Sequence, residues 1–382
     1  MHLDHNHHLS YCTNIHPAET WSETLGALKE HTLKVRAEVC PEEQPYAIGL
    51  RLSAGAANEL LEGENLPFFK AWLSEHGCYV FTINGFPYGS FHGTRVKENV
   101  YRPDWSSPER LLYTNNLFDI MAQLAPEGVE GSVSTLPGSF KSFEADEIAI
   151  FRNLESCAQH IDLLSERTGR DLHLGLEPEP LGHFEHTRDT IAFFDRLLDS
   201  SDDPDLLLRR IGINYDTCHF AVEFDDCHTA LDTFRGAGLR ISKVHLSNAL
   251  AFDLESPGSL EAIAQFHEPT YLHQLITAGN GKNLYFTDLP EALTELRQPA
   301  FATHGQQEAR VHFHIPLYAE PEPPLRSTKD HVGDLFSYRR AHPGFCSHFE
   351  IETYTWGVLP GDLQKPIVRQ IAEEYRWVLS QL

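Results

Sequence analysis

The chain has 382 residues, of which 41% are hydrophobic and 22% are charged, values typical of a soluble globular protein with a large core. Thirty Lys and Arg residues against 55 Asp and Glu residues give a formal charge of −25, which repels polyanions and argues against nucleic acid as a partner. The seven scattered cysteines contain no C-x-x-C pair, and neither a membrane-length apolar run nor a secretory signal is recognisable. We therefore expect a cytoplasmic protein without membrane insertion.

The first ten residues, MHLDHNHHLS, contain four histidines. A solvated, partly disordered chain end explains them better than a dedicated metal-binding tract. We therefore expect the first strand to begin near Ser10.

Eight short apolar runs alternate with longer amphipathic stretches along the chain. The strand candidates are SYCTN, YAIGLRLS, YVFTING, GSVSTL, LHLGLEPEP, IGINYDT, ISKVHLSN and HFEIETYTW. The stretches between them have helical patterns, and Ser107 followed by Pro108 is a typical helix start. Eight βα units without a Gly-rich phosphate loop after the first strand favour a (β/α)8 TIM barrel over a doubly wound sheet. We expect residues 1–382 to form this one domain.

One connection is far longer than the others. About a hundred residues separate the seventh strand from HFEIETYTW, and within them residues 249–330 are predicted to be an insertion over the mouth of the barrel. An alternative takes VHFHIPLY as the seventh strand instead.

Polar side chains occupy one face of several predicted strands. In a parallel barrel that face points inward, and its upper end meets the mouth where active sites form. The carboxyl ends of strands five to eight supply Glu177, Asp216, His245 and Glu352 in succession. This mixed oxygen and nitrogen set suits a divalent Mn, Co, Fe, Mg or Zn ion. The alternative is a network of structural salt bridges in the barrel core.

Two further inward residues lie deeper. Lys243 and Glu350 stand one layer below the predicted ligands on neighbouring strands, so we predict a buried ion pair that supports the site. Arg51, inward on strand two, could bind a substrate hydroxyl or phosphate, or pair with Glu350 or another acid. Cys218 lies between Asp216 and His219, but on an extended chain it points to the opposite side and is not expected to be a ligand.

The order Glu, D-x-x-H as DTCH, His and Glu on strands five to eight resembles the xylose isomerase-like TIM barrels. This superfamily includes sugar and sugar-phosphate isomerases, ketose 3-epimerases and endonuclease IV. The segments YCTNIHPAETW, IGLRLSA, FPYGSFHG, VYRPDW and EIETYTW resemble the EboE group of metabolite traffic proteins along nearly the whole chain. The resemblance implies that His219 lies near the metal or the substrate, and that Glu177 and Glu352 double as acid and base.

A second ion is also conceivable from this resemblance. His312 and His314 in the insertion have a spacing similar to the D-x-H element by which endonuclease IV binds further metals, and His92 lies in the loop after strand three. Each has a plainer explanation, because His312 and His314 could face solvent on a β-ribbon and His92 could be an ordinary loop histidine.

Three functions remain open. The leading hypothesis is a metal-dependent isomerase or epimerase of a small polyhydroxylated carbonyl compound, in which one glutamate removes an α-proton and the other returns one. The second is a two- or three-metal phosphoester hydrolase, and one ion per chain would argue against it. The third is a non-catalytic carrier of a small metabolite.

Overall fold

The computed structural model describes residues 1–90, 97–359 and 365–382. Each of the eight predicted apolar runs overlaps a strand of the barrel, and five further strands lie in the long connection. The described residues form β1 (His8–Tyr11), β2 (Tyr46–Arg51), β3 (Cys78–Asn84), β4 (Gly131–Thr135), β5 (Leu172–Leu176), β6 (Ile211–Asp216), β7 (Ile241–Leu246), β8 (Leu250–Asp253), β9 (Leu275–Gly279), β10 (Lys282–Phe286), β11 (Glu308–Val311), β12 (Leu325–Ser327) and β13 (His348–Ile351).

Eight of these strands are parallel and make up the barrel, in the spatial order β1, β13, β7, β6, β5, β4, β3, β2. A bridge between Cys12, just after β1, and Gly49 in β2 joins the two edge strands. The predicted (β/α)8 barrel is therefore confirmed. Its strands are buried along their whole length, apart from the half-buried Tyr79, which is typical of parallel strands covered by helices.

Helices connect the strands and cover the outside of the barrel. Ser107 caps the helix that begins at Pro108, as predicted, and Pro366 immediately precedes the last helix. The helices are α1 (Trp21–Ala27), α2 (Leu33–Val39), α3 (Ala54–Leu61), α4 (Asn65–Glu75), α5 (Pro108–Leu124), α6 (Glu147–Thr168), α7 (Thr187–Asp199), α8 (Pro204–Arg210), α9 (Thr217–Val222), α10 (Cys227–Gly236), α11 (Ser259–Ile263), α12 (Leu289–Leu296), α13 (Lys329–Ala341) and α14 (Ile367–Gln381). Across the described residues, no helix has the length and apolarity needed to cross a membrane.

The long connection between β7 and β13 folds into a sheet of its own. Five antiparallel strands pair in the order β10, β9, β11, β8, β12. The enlarged connection is thus confirmed, while the alternative of VHFHIPLY as a barrel strand is wrong. The reason is that β11 pairs with β8 and β9, so its backbone hydrogen bonds are used inside this second sheet.

The amino-terminal expectation is also wrong. The first strand begins at His8 rather than near Ser10, and Met1, His7 and His8 are buried. The Arg339 guanidinium on α13 donates to Nδ1 of His7, at 2.8 Å for Nη2. Side-chain packing therefore orders a segment whose composition alone suggested a solvated end.

Candidate functional site

The carboxyl ends of β5, β6 and β7 bring together the residues that we call the carboxylate cluster: Glu177, Asp216 and His245. Their ligand atoms all lie within 4.8 Å of one another. Nδ1 of His245 is 2.9 Å from Oε1 of Glu177 and 3.6 Å from Oδ2 of Asp216. All three side chains are buried. The strand ends therefore position three of the predicted metal ligands at one point.

Asp216 is held by the start of α9. Its Oδ1 accepts hydrogen bonds from the backbone N–H groups of Cys218 and His219, at 2.8 and 3.1 Å, and from Oγ of Ser247 at 2.5 Å. Oδ2 is buried without a hydrogen-bond partner among the described residues and is directed to the cluster. Burial alone would raise the pKa of Asp216, but His219 and His245 outweigh it and hold that pKa below its usual value. A buried, charged oxygen without a donor fits a cation ligand.

A layer of buried charge supports the carboxylate cluster from below. Nζ of Lys243 is 2.5 Å from Oε2 of Glu350. The same oxygen accepts a hydrogen bond from Nε2 of His245 at 3.0 Å. This confirms the predicted Lys243–Glu350 ion pair. Gly49 is required beside it, because a Cβ there would lie 1.8 Å from Oε1 of Glu350. Burial lowers the pKa of His245, yet Glu177 reverses this and raises it well above its usual value.

Glu352, the fourth predicted ligand, lies outside the carboxylate cluster. Its Oε1 accepts a hydrogen bond from Nδ2 of Asn14 at 2.5 Å, and its Oε2 is 2.8 Å from Nδ1 of His314. Burial would raise the pKa of Glu352, but His314 more than compensates and lowers it. The side chain is therefore a charged carboxylate beside the cluster.

A second group, which we call the histidine cluster, joins the barrel to the insertion. It consists of His219 on α9 with His312 and His314, which follow β11. Nε2 of His312 is 3.1 Å from Nε2 of His219 and 3.2 Å from Nε2 of His314. All three rings are buried, so the solvent-facing alternative for His312 and His314 is wrong. The segment after β11 runs into the barrel mouth rather than along a ribbon.

Cys218 also departs from expectation. It was predicted to point away from the site, but its thiol lies within 4.8 Å of ligand atoms of His312 and His314. The prediction assumed an extended chain after Asp216, whereas residues 217–222 form α9, in which side chains turn by about 100° per residue.

A cleft lies against the histidine cluster and against Glu177 of the carboxylate cluster. Glu177, His219, His312, His314 and Glu352 all border it, which places most predicted site residues around one volume. The insertion contributes to its wall, together with aromatic and amide side chains: Asn14, Asn84, Phe86, Tyr101, Tyr271, Gln274 and Tyr354.

Three predicted residues that the structure describes are not among those that border the cleft: Asp216, His245 and Arg51. Arg51 is buried and donates to the carbonyl oxygens of Ala18 and Gly89, each at 2.6 Å, with Glu19 at 3.3 Å. Its guanidinium thereby holds loops together rather than facing a substrate. His92 lies outside the described residues.

Sequence reasoning missed several residues of the site. Glu179 borders the cleft and is separated from Glu177 by one residue, a period of two that could have revealed it. Asn14 is the last residue of the predicted run SYCTN, although β1 itself ends three residues earlier, at Tyr11. Gln274 contacts His312, and its position depends on the fold of the insertion, for which the sequence carries no local signal.

Comparison with known proteins gives similarity at the level of folds. No protein-family model and no curated protein sequence matches the chain. Among solved structures, a D-tagatose 3-epimerase-like protein is similar with a TM-score of 0.49 and 12% identity, over 98% of each chain. The probable 3-DHS dehydratase AsbF of Bacillus anthracis has a TM-score of 0.49 and 12% identity, over 97% of this chain and 98% of its own. A xylose isomerase domain protein from Alicyclobacillus acidocaldarius has a TM-score of 0.48 and 11% identity, over 98% of this chain and 97% of its own.

Proposed function

We propose that the protein is a metal-dependent isomerase or epimerase of a small polyhydroxylated carbonyl compound, such as a sugar, a sugar phosphate or a cyclitol ketone. The observation that carries this proposal is the position of Glu177 and Glu352. Both carboxylates border the same cleft, next to a carboxylate cluster whose oxygens and imidazole suit a divalent ion. An ion bound by Glu177, Asp216 and His245 would polarise the substrate carbonyl.

The glutamates account for the movement of protons. Glu352 is charged, so it can accept the proton of the carbon next to the carbonyl, whose electron pair shifts toward the carbonyl oxygen. A proton returns to the same carbon on its other face from Glu177, which gives epimerisation, or to the neighbouring carbon, which gives isomerisation. Asn14 and His314 fix the Glu352 carboxylate for this role.

The side chains that line the cleft favour a substrate whose part next to the two clusters is uncharged. Lys97 is the one lysine or arginine among the described residues that border it. Its ammonium group is already 2.6 Å from Asp288 and donates to the carbonyl oxygen of Tyr271 at 2.6 Å. The amides of Asn14 and Asn84 are suitable partners for hydroxyl groups.

The cellular role follows from the resemblance to the EboE group, which supports a place in metabolite biosynthesis or traffic. All seven cysteines are unpaired and buried, in keeping with the proposed reducing cytoplasm. A non-catalytic carrier would bind the same ligands without exchanging their protons, so an isotope experiment separates it from the proposed enzyme.

The test is solvent exchange in heavy water, with ketoses, cyclitol ketones and their phosphates as substrates and a divalent ion added. The wild-type protein should place deuterium on the carbon next to the carbonyl. Glu352→Gln should lower this rate at least about 100-fold, because an amide cannot accept the proton. The matched control is Glu223→Gln, another buried glutamate, which lies outside the residues that border the cleft. Exchange at the wild-type rate in Glu352→Gln contradicts the assignment.

A second candidate, the phosphoester hydrolase, is favoured by one observation. The histidine cluster lies beside the carboxylate cluster, and Asp216 has ligand atoms within 4.8 Å of members of both. Neighbouring ions could then clamp a phosphate. Release of inorganic phosphate from a sugar phosphate, without deuterium exchange in any substrate, would establish this function and exclude the isomerase.

A further inference from the structure

The side chains of the candidate site are almost closed off from solvent. Glu177, His219 and Glu352 are exposed by 4%, 3% and 6%, although all three border the cleft. A compound of the size of a sugar does not reach these groups while the walls of the cleft stay in place. At least one wall therefore moves when such a ligand enters.

Two walls of the cleft come from distant parts of the chain. The β3 segment, residues 97–101, follows β3 as a short 3-10 helix and belongs to the barrel side. The insertion loop, residues 268–273, lies in the long connection between β7 and β13. The side chains of these walls that border the cleft are Lys97, Val100, Tyr101, Tyr271 and Leu272. The cleft can therefore widen where the two walls meet.

One lysine joins the two walls. Nζ of Lys97 lies 2.6 Å from Oδ2 of Asp288 and donates to the carbonyl oxygen of Tyr271 at 2.6 Å. The backbone N–H of Lys97 donates to the carbonyl oxygen of Thr270 at 3.2 Å. Asp288 holds the insertion loop in turn, because its Oδ1 accepts from the backbone N–H of His273 at 3.1 Å. We call these contacts the Lys97 clasp.

The clasp is a weaker joint than the others around the cleft. The side chains of Lys97 and Asp288 are 9% and 20% exposed, and a partly exposed ion pair contributes little to stability. Lys97 also has a φ of 45°, in the left-handed region that residues with a Cβ atom adopt only at a cost. Opening the clasp returns the charged pair to water and releases this backbone conformation.

The other joints between the insertion and the barrel are more deeply buried. Gln274, which is 1% exposed, donates to the carbonyl oxygen of Pro180 at 3.0 Å. Nδ1 of His314, also 1% exposed, lies 2.8 Å from Oε2 of Glu352. Separation of either pair leaves buried polar groups without partners, which costs more than separation of groups that water reaches. The insertion therefore stays on the barrel, and the β3 segment is the wall that moves.

Tyr101 supplies the pivot for this movement. It is 1% exposed, and its ring centroid lies 4.6 Å from that of Phe140 and 5.5 Å from that of Phe86. Glu98 and Asn99, which precede it, are exposed. The β3 segment is thus held at its last residue by aromatic packing and at its first residue by the clasp.

We propose that the Lys97 clasp is the gate of the cleft: the β3 segment swings away from the insertion loop about Tyr101, admits a ligand, and closes when Lys97 pairs with Asp288 again. Closure excludes water from the cleft while the ligand is bound. The proposal concerns access rather than reaction, so it applies equally to an isomerase, a hydrolase and a carrier. It goes beyond the proposed function and does not depend on it.

Amide hydrogen exchange of the full chain tests whether the clasp holds the walls together. Lys97→Met removes the clasp, and Asp288→Asn removes its negative charge while keeping an oxygen that can cap α12. Exchange in residues 97–101 and 270–273 should become at least about tenfold faster in both variants, because fewer contacts close the joint. Exchange in residues 241–246 of β7 should stay as in the wild type.

The matched control is Lys141→Met. It removes another lysine that is paired with a carboxylate, Glu185, and that lies outside the residues bordering the cleft. Exchange at both walls should therefore be the same as in the wild-type protein.

Zn²⁺ uptake tests whether the clasp controls access. The full chain, stripped by a chelator, is mixed with Zn²⁺ alone, and binding and release are followed by stopped flow with a chelating dye. A gate changes how fast an ion passes but not how tightly it binds. Both rates should therefore rise about 5- to 10-fold in Lys97→Met, while Kd stays within about twofold. Lys141→Met should keep the wild-type rates.

Three results would overturn the proposal: wall exchange at the wild-type rate in both variants, Zn²⁺ rates that do not rise in Lys97→Met, or a Kd that rises while uptake stays the same. If Lys97→Met does not fold, Asp288→Asn takes its place in both measurements. A wild-type protein that binds no Zn²⁺ would contradict the metal site of the proposed function, and amide exchange would then decide the gate.

Discussion

The carboxylate cluster and the histidine cluster are neighbours, yet they are built and balanced differently. The first stands on strand ends, and its negative charge is opposed by Lys243 and by His245 within the barrel. The second stands on α9 and a segment of the insertion, and its Nε2 atoms lie 3.1 and 3.2 Å apart. Carboxylates therefore dominate the first cluster, whereas imidazoles dominate the second. Each has an internal partner of opposite charge, since Oε2 of Glu352 lies 2.8 Å from Nδ1 of His314.

The largest expected effect comes from removing the buried charge of Lys243, below the carboxylate cluster. Lys243→Met removes the lysine partner of the fully buried Glu350 and leaves it His245 at 3.0 Å. We expect a loss of about 3 to 5 kcal/mol in the free energy of unfolding. Urea denaturation of the variant and the wild type measures it.

The double variant Lys243→Met with Glu350→Met is the control. It removes both charges, but it also deprives Nε2 of His245 of the acceptor at 3.0 Å. The loss in the free energy of unfolding should therefore be smaller than in Lys243→Met alone. About 1 to 3 kcal/mol of the loss should remain, because the imidazole is left without its acceptor. Single losses that simply add in the double variant would show that the pair is not coupled.

Removal of bound ions should have the next largest effect. An ion present at 100 times its dissociation constant stabilises the folded state by about 2.7 kcal/mol, so chelation should lower the melting temperature. Asp216→Asn, in which the amide oxygen can still cap α9, should lose the carboxylate-cluster ion and remain folded. Glu177→Gln should behave in the same way. Metal contents equal to that of the wild type in both variants would refute the assignment of this cluster.

The two clusters also differ in how far the sequence predicted them. Glu177, Asp216 and His245 follow from a period of two on neighbouring strands, because the register of a parallel barrel places their strand ends side by side. His312 and His314 could be suspected only from their spacing. Their burial depends on the pairing of β11 with β8 and β9, a contact between distant parts of the chain that no local pattern encodes.

Errors in the prediction have the same physical origin. Alternation fails for Cys218, because the chain beyond the end of β6 has already turned into α9. Composition predicts that the histidines at the amino terminus face solvent, but His8 pairs in register with His348 of β13. Glu352 was placed with the strand-end ligands, but β13 ends at Ile351, and the next residue turns to Asn14 and His314. Periodicity is reliable only within an element.

A pH experiment tests the buried carboxyl of Glu374, which binds the segments that carry His314 and Glu352. Glu374 on α14 accepts hydrogen bonds from the backbone N–H of Leu317, at 3.0 Å, and from Oγ1 of Thr353, at 2.8 Å, residues that follow His314 and Glu352 in the chain. Burial raises the pKa of this carboxyl from 4.5 to about 8. Between these values the folded state keeps a proton that the unfolded state has lost, so stability is full below pH 4.5 and falls as the pH rises through about 8.

We expect ionisation of this carboxyl to lower the free energy of unfolding by about 2 kcal/mol between pH 6 and pH 8. Glu374→Gln keeps an oxygen that can accept both hydrogen bonds and removes the titration, so its free energy of unfolding should fall less over this interval. Chemical denaturation of both proteins at pH 6, 7 and 8 measures the difference. Parallel curves would mean that the carboxyl is already ionised at pH 6 and that burial does not control it.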